Sequence, residues 1–221
     1  MKKLISLCLA MTMLLGSMVG CGKTPTSSSG NPSNSEGGGL GTPQTFKFGL
    51  TVASTHPYSI AAQNFAELVE EKSGGNMTVD LYYDSSLGDD AALMESMQMN
   101  AVTFALVGPA GIAPMCPIYE FFDLPCLFAT RDAAYAFQES EPVLELMDSL
   151  SANGLRGLGF YENGYYAISN NAKEITTVDG LNNLKLRSMT SEMAIKSWEC
   201  LNVQPVAMAF GELFMAMQTG T

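Results

Sequence analysis

Arg187 is the residue of this chain that is best placed to do chemistry. It ends the run V-D-G-L-N-N-L-K-L-R, in which Asp179-Gly180 is a turn signal and the Lys-Leu-Arg core after Leu184 predicts a short strand. Near a strand end, this guanidinium points into a core or into a cleft, and it needs an anionic partner because burying it unpaired is costly. Its planar fork suits a carboxylate. We therefore predict a carboxylate ligand on Arg187, with a structural ion pair as the alternative.

His56 and Gly108 are two further candidates for ligand contact. His56 precedes Pro57 at a predicted helix start, where backbone N–H groups can bind an anion. The alternative is that His56 only caps the helix or faces solvent. Gly108 follows a predicted strand, and α/β sheets bind ligands at the carboxyl ends of their strands.

The first half of the chain predicts the elements that would position these residues. Apolar residues at alternating positions predict strands at 45–53 and 77–83. Apolar residues at helical spacing predict a helix that begins at Pro57 and ends before Gly74. A second helix begins at Asp89-Asp90, since acidic residues are favourable at a helix N-terminus. The stretch 102–107 is almost entirely apolar, which predicts a third strand buried on both faces. This order is typical of an α/β lobe with a mainly parallel sheet.

The second half predicts further helices and strands around Arg187. Residues 109–125 are rich in proline and predict a loop, followed by helices at 131–138 and 142–153. Strands are expected at 155–161 and 165–169. A helix at 191–201, a strand at 206–209 and a helix at 211–218 follow.

The N-terminus predicts export and anchoring. Residues 1–20 form a leader with a positive Lys2-Lys3 start and an apolar stretch too short for a stable membrane span. The leader ends in M-V-G-C, which resembles a lipobox and predicts lipidation of Cys21; the alternative is an ordinary signal peptide. Residues 21–45 are rich in Gly, Ser, Pro and Thr and predict a flexible tether.

Several motifs together resemble a known family. The segment G-L-N-N-L-K-L-R is similar to the G-L-K-G-L-K-I-R segment of the DctP-type solute receptors. Four more matches follow the family's order: F-A-E-L-V-E-E-K-S-G-G at 65–75, L-G-D-D at 87–90, F-D-L-P at 122–125 and P-V-A-M-A-F-G-E-L-F-M-A-M-Q-T-G at 205–220. From residue 46 onward, the chain thus resembles the extracytoplasmic binding proteins of TRAP (tripartite ATP-independent periplasmic) transporters.

The resemblance implies an α/β, two-lobed, periplasmic-binding-protein-like (Venus flytrap) fold. Its first lobe would span 46–160, and its second would begin within 161–221. Family members continue from Q-T-G into V-D-G-Q-E-N-P and many further residues. We therefore expect a C-terminally truncated chain with an incomplete second lobe.

The same resemblance implies roles for individual residues. In the family, the arginine at the position of Arg187 grips the ligand's carboxylate. Members with well-described carboxylate sites often have N-G-x-R where this chain has Asn163-Gly164-Tyr165-Tyr166, so a second cation is absent. Tyr166 would donate a hydrogen bond to the ligand or stack on it, and the alternative is that it only packs. Phe210 and Glu212 match the family's A-F-x-E, with Phe210 as a cleft wall and Glu212 as either a ligand contact or a helix cap. In some sialic-acid receptors a glutamate lies in the neighbourhood of Gly108, where we expect no acid.

The function implied is that of a lipid-anchored, extracytoplasmic solute-binding protein. It would capture a small organic acid, a monocarboxylate, and deliver it to TRAP membrane permease subunits without ATP or any cofactor. One rival is a ligand-sensing receptor of the same fold that feeds a signalling partner. A second rival is an extracellular lipoprotein enzyme, and a third is a non-functional gene remnant.

Composition excludes other classes. The net charge of −11, from 11 Lys and Arg against 22 Asp and Glu, is wrong for a nucleic-acid binder. One histidine and five scattered cysteines argue against a metal site. Catalytic patterns such as G-x-S-x-G and the phosphate loop are absent from the sequence, so we predict no enzyme. Cys116 and Cys126 could pair, but separate buried thiols fit better, and Cys126 stands where the family has an apolar Phe.

Overall fold

The computed structural model describes residues 42–221, which belong to one unit of the chain, Gly39–Thr221. The predicted leader, the lipidation site at Cys21 and residues 21–41 of the predicted tether lie outside the described residues. None of the described helices is both long and apolar enough to cross a membrane.

A three-stranded parallel sheet forms the first half of the fold. The order along the chain is β1 (Gln44–Leu50), α1 (Pro57–Lys72), β2 (Met77–Tyr82), α2 (Asp90–Gln98) and β3 (Phe104–Leu106). The spatial order is β2-β1-β3, and Phe48 pairs with both Leu81 and Phe104. The prediction that residues 102–107 form a strand buried on both faces is wrong. Only Phe104–Leu106 pair with another strand, β1. These three residues are half-buried because β3 is an edge strand of this sheet.

Two apolar clusters hold this half together. Phe48, Leu50 and Ala62 are buried between the sheet and α1, with the rings of Phe65 and Phe104 5.1 Å apart beside them. The second cluster joins Met94 of α2 to later parts of the chain, namely Tyr119, Leu150 and Leu155.

The middle of the chain is helical. The predicted loop at 109–125 contains two short helices, α3 (Pro109–Ile112) and a 3₁₀ helix (Pro117–Asp123). The two predicted helices follow as α4 (Arg131–Gln138) and α5 (Glu141–Ser149), and α5 continues into a 3₁₀ turn at Leu150–Asn153. The hydroxyl of Thr130 accepts from Ala133 N–H at 3.2 Å and caps α4.

The strands predicted at 155–161 and 165–169 do not form. Among the described residues, no backbone–backbone hydrogen bond involves residues 156–176. Alternation of apolar residues indicates which side chains share a face, but a strand also needs a neighbour for its ladder. Here none of the five described strands lies beside this segment. Its side chains still make contacts, since Glu162 pairs with Arg131 Nε at 2.8 Å and accepts from the Tyr135 hydroxyl.

A second, two-stranded parallel sheet carries Arg187. A 3₁₀ turn (Val178–Leu181) leads into β4 (Lys185–Ser188), then α6 (Glu192–Glu199), β5 (Gln204–Ala207) and α7 (Phe210–Thr219). Arg187 pairs with Val206. The strand predicted at 206–209 is β5, which begins at Gln204, two residues earlier than predicted. Leu181, Leu184 and Val203 form the small core beneath, against Trp198.

The three described cysteines are free thiols. Cys116 and Cys126 are not paired. The prediction that Cys126 packs as a buried apolar residue is wrong, because its side chain is exposed. It follows Pro125 with φ of 57°, so the backbone turns there and directs the side chain outward.

Candidate functional site

A cleft of about 2320 Å³ is lined by the predicted ligand-binding residues with the exception of Glu212. The carboxyl ends of four parallel strands open into it, at Leu50 of β1, Leu106 of β3, Arg187 of β4 and Val206 of β5. This is where the strands of α/β sheets generally leave room for ligands. Asn163, Tyr166, His56, Gly108 and Phe210 all line the same cleft.

Arg187 is half-buried and oriented by a backbone carbonyl. Its Nε and Nη2 atoms donate to the carbonyl oxygen of Met208 at 3.1 and 2.8 Å. Within the described residues, no carboxylate lies within 4.0 Å of the guanidinium, so the structural ion pair is not formed there. Burial lowers the pKa of Arg187, while Tyr166 and Asp90 nearby raise it. The guanidinium is thus held in place while its charge lacks an anionic partner among these residues.

Asp90 is a site residue that the sequence reasoning missed. It is the first residue of α2, and its Oδ2 atom accepts from Gly108 N–H at 3.0 Å. The expectation that no acid lies near Gly108 is therefore wrong. The L-G-D-D motif contains both aspartates, but a helix-start pattern alone does not distinguish the one that caps α2 from the one that lines the cleft. Only Asp89 does that work, by accepting from Ala92 N–H at 2.9 Å.

The second oxygen of Asp90 is unpaired. Oδ1 is buried and has no hydrogen-bond partner. Burial raises the pKa of Asp90, and the Gly108 N–H opposes this by favouring the charged form. The Thr51 hydroxyl is near enough to lower that pKa too, but it is outside hydrogen-bonding geometry with Oδ1. The positive charge of Arg187 also lowers the pKa of Asp90, and both residues line the cleft.

Close packing around two glycines fixes Asp90. A Cβ at Gly108 would lie 3.2 Å from Asp90 Oδ2. A Cβ at Gly111 would lie 2.5 Å from Asp90 Cβ and 3.1 Å from its backbone carbon. Gly111 therefore approaches Asp90 more closely than a side chain at position 111 would permit, and this close approach holds Asp90 beside the segment that follows β3.

Tyr166 and Asn163 come from the segment without regular structure. The Tyr166 side chain is 72% exposed, and its hydroxyl donates to the sulfur of Met189 at 3.2 Å. Asn163 and Arg187 lie near the same phenol. Tyr166 consequently has most of its ring available to a ligand, as either a donor or a stacking surface.

His56 and Tyr58, at the start of α1, also line the cleft. His56 Nδ1 accepts from Tyr58 N–H at 3.2 Å, so the histidine caps α1, and its ring lies 4.8 Å from that of Tyr58. Tyr58 in turn lies 6.0 Å from Tyr161. Burial raises the pKa of Tyr58 to about 12, with Tyr166 and Glu162 adding to the effect. Tyr58 is therefore a neutral phenol at physiological pH.

Phe210 and Glu212, both on α7, have different surroundings. Phe210 is 55% exposed and lines the cleft. Glu212 Oε2 accepts from Ala209 N–H at 3.3 Å, which is the helix-capping role given above as its alternative.

The start of α6 ties the two sheets together. Glu120, in the 3₁₀ helix that ends at Asp123, accepts through Oε1 from Glu192 N–H at 3.2 Å. A carboxylate at a helix N-terminus is stabilised by the unpaired N–H groups and the helix dipole. Since α6 directly follows β4, this contact joins the part of the chain that carries Arg187 to the 3₁₀ helix at Pro117–Asp123.

The family of the chain follows from comparison with known proteins. Residues 48–221 match the DctP family, described as bacterial extracellular solute-binding protein, family 7. The chain belongs to this family. The resemblance inferred from the motifs is therefore confirmed, and the DctP family comprises transport binding proteins rather than enzymes.

Two curated relatives are similar to this chain over most of its length. It is 33% identical over 186 residues to the C4-dicarboxylate-binding periplasmic protein DctP of Rhodobacter capsulatus, covering 82% of this chain and 54% of that protein. It is 29% identical over 180 residues to the 2,3-diketo-L-gulonate-binding periplasmic protein YiaO of Escherichia coli K12, covering 80% of this chain and 54% of that protein. This chain thus spans about half the length of these curated relatives.

A solved structure confirms the fold class. The sugar acid binding protein DctPAm of Advenella mimigardefordensis, in complex with galactonate, is 34% identical with a TM-score of 0.79. The match covers 81% of this chain and 58% of that one. The chain accordingly has the α/β architecture of the two-lobed TRAP solute-binding proteins, over the part that the match covers.

Proposed function

We propose that this chain captures a small organic acid, a monocarboxylate, in the cleft and delivers it to the membrane subunits of a TRAP permease. The observation that carries the proposal is Arg187, which is oriented by Met208 and lacks an anionic partner among the described residues. The relatives named above are binding proteins for C4-dicarboxylates, 2,3-diketo-L-gulonate and galactonate, all of which carry a carboxylate.

The cations around the cleft support a monocarboxylate. Arg131 lines the cleft but pairs with Glu162. Arg156 is exposed and lies outside the cleft lining. A phenol, Tyr166, stands where family members with well-described carboxylate sites often have a second arginine.

Lys173 and Lys185 also line the cleft, but both are exposed, and Lys173 Nζ donates to the Asn182 carbonyl. Among the described residues, the cleft therefore offers an anion one half-buried guanidinium without a carboxylate partner, and this suits one carboxylate.

Capture would proceed by closure of two lobes, at 46–160 and 161–221, over the ligand. Arg187, Phe210, Asn163 and Tyr166 belong to the second lobe, and His56 and Gly108 to the first. A ligand that touches both sets favours the closed arrangement by its differential contacts, as in hinge closure of binding proteins.

The test is ligand binding by the purified protein. A library of small mono- and dicarboxylates would be screened by thermal shift and then by calorimetry. A ligand at one hundred times its Kd should stabilise the protein by about 2.7 kcal/mol. If no carboxylic acid produces heat or a thermal shift in a folded sample, the proposal is wrong.

Tyr166→Phe should weaken ligand binding only mildly. The substitution removes one neutral hydroxyl and keeps the ring, so we expect a loss of about 1 kcal/mol, or about fivefold in Kd. Tyr165→Phe is the matched control, since Tyr165 is 70% exposed and adjacent in sequence. Calorimetry with the best acid of the screen measures both. Equal effects of the two variants would show that the Tyr166 hydroxyl does not touch the ligand.

Lipidation at Cys21, after a leader of residues 1–20, would hold the protein at the outer face of the cell membrane, with residues 21–45 as a tether. Cys21→Ala should release most of the protein from membranes, because a diacylated cysteine anchors stably and an unmodified chain does not. The control is Cys8→Ala, which removes the cysteine within the leader. Membrane fractionation and metabolic labelling with a fatty acid give the readout. Unchanged membrane association of Cys21→Ala would contradict the anchor and leave ligand binding untouched.

A further inference from the structure

Two exposed aromatic side chains lie close to the end of β4 that carries Arg187. The hydroxyl of Tyr166 donates to the sulfur of Met189 at 3.2 Å, and Met189 is two residues after Arg187. Arg187 itself donates to the carbonyl of Met208, and Phe210 is two residues after Met208. Tyr166 is 72% exposed, Phe210 is 55% exposed, and both line the cleft. A ligand whose carboxylate is bound by Arg187 therefore has two accessible aromatic rings next to it.

The start of α1 adds a third aromatic surface to the cleft. The ring of His56 lies 4.8 Å from that of Tyr58, which lies 6.0 Å from that of Tyr161, and all three residues line the cleft. Burial raises the pKa of Tyr58 to about 12, so this phenol is uncharged at physiological pH. Uncharged aromatic rings bind a flat apolar group without needing a hydrogen-bond partner on it.

Several charged side chains of the cleft lining, by contrast, are engaged within the chain. Asp90 Oδ2 accepts from Gly108 N–H at 3.0 Å, and Asp90 Oδ1 has almost no solvent-accessible area. Glu162 pairs with Arg131 at 2.8 Å, and Lys173 Nζ donates to a backbone carbonyl at 3.2 Å. A sugar acid needs a hydrogen-bond partner for every hydroxyl that it buries, whereas an aromatic ring needs none. Engaged polar groups and accessible rings together favour an aromatic body for the ligand.

We propose that the acid bound by Arg187 is an aromatic monocarboxylate, whose ring packs against Tyr166 and Phe210. This inference rests on the proposed function and names the class of its ligand. Ring pairs in offset-stacked or edge-to-face geometry gain more free energy than their buried area alone accounts for. At position 166, a second arginine would bind a second carboxylate, whereas the phenol of Tyr166 binds a ring. The preference differs from the C4-dicarboxylates and sugar acids for which the relatives above are named.

The first test compares aromatic acids with saturated acids of the same carbon number on the purified protein. The pairs are benzoate and cyclohexanecarboxylate, phenylacetate and cyclohexylacetate, and 3-phenylpropanoate and 3-cyclohexylpropanoate. Gluconate represents the sugar acids and succinate the dicarboxylates. Calorimetry should show that the best aromatic acid binds roughly fivefold or more tighter than its saturated partner, and tighter than gluconate and succinate. A cleft that only buried apolar area would favour the saturated ring, because that ring has more apolar surface.

The second test removes one aromatic ring of the cleft at a time. Tyr166→Leu and Phe210→Leu keep an apolar side chain but lose the π system, so each should lower the preference for the aromatic over the saturated acid by roughly threefold. Phe214→Leu is the matched control, since Phe214 is also on α7, is 64% exposed and lies outside the cleft lining. That control should leave the preference unchanged. General damage to the protein would weaken both members of a pair alike, so the ratio of their Kd values reports ring contact.

The possible outcomes separate this inference from the proposed function. If wild-type protein binds no acid, or binds succinate most tightly, the proposed monocarboxylate function fails and takes this inference with it. If gluconate or the saturated acids bind as tightly as the aromatic acids, this inference is overturned and the proposed function stands. The same holds if Tyr166→Leu and Phe210→Leu change the preference no more than Phe214→Leu does. The wild-type panel decides the matter even if a variant fails to fold.

Discussion

Replacing Arg187 with alanine should lower the affinity for the organic acid by about two to four decades. The reason is that a carboxylate enclosed in the closed cleft would lose its guanidinium partner, and breaking such a pair costs roughly 3–5 kcal/mol. Arg187→Lys should recover only part of this affinity. An ammonium restores the charge, but it cannot donate to the Met208 carbonyl and to the ligand with the geometry of a guanidinium.

The matched control is Arg156→Ala, which removes the same side chain from an exposed position outside the cleft lining. Calorimetry with the best acid of the screen should rank Arg187→Ala as worst, Arg187→Lys as intermediate and Arg156→Ala as unchanged. Each variant should first be shown to melt cooperatively, since Arg187 also braces the end of β5. Unaltered affinity in a folded Arg187→Ala protein would show that Arg187 does not bind the carboxylate of the ligand.

The sequence predicted the elements that depend on local pattern. The two α/β stretches, the strand that carries Arg187 and the helix starts at Pro57 and Asp90 are all present. These signals are short-range, because apolar spacing and capping residues act within one element. The capping alternatives for His56 and Glu212 are likewise local, and the structure contains both contacts.

The rest depends on contacts between residues distant in sequence. Residues 155–169 alternate like a strand, but no described strand lies beside them to form a ladder. Asp90 and Gly108 are 18 residues apart, and their hydrogen bond exists only because β3 and α2 meet at one sheet edge. A sequence shows that an aspartate can cap a helix; it does not show which of two adjacent aspartates turns into the cleft instead.

The position of β3 at the edge of the sheet also depends on contacts between residues distant in sequence. An apolar run such as 102–107 indicates burial, but an edge strand and a central strand can carry the same residues. Here β1 takes the centre, and β3 pairs over three residues only. The exposed fraction of a side chain in such a strand is decided by the neighbouring elements, which the run itself does not encode.

Leu93→Ala should destabilise the fold by about 2–5 kcal/mol, because Leu93 is fully buried and a truncated side chain leaves a cavity. Leu93 lies on α2, three residues after Asp90, and packs over Gly49 of β1. A Cβ at Gly49 would lie 2.3 Å from Leu93 Cδ2, so the leucine occupies the space that the glycine leaves open. This contact seats α2 on the sheet and thereby positions Asp90.

The same contact gives a double-mutant test. Gly49→Ala alone should destabilise by about 1–3 kcal/mol through overpacking against Leu93. In the double variant the new methyl group occupies part of the cavity, so the combined loss should be smaller than the sum of the two single losses. Leu158→Ala is the control for the substitution itself, since Leu158 is 68% exposed. Urea denaturation gives the free energy of unfolding of these four variants and of the wild-type protein. Additive losses would show that Leu93 and Gly49 do not pack against each other, and a loss for Leu93→Ala no larger than that for Leu158→Ala would show that α2 is not seated through this residue.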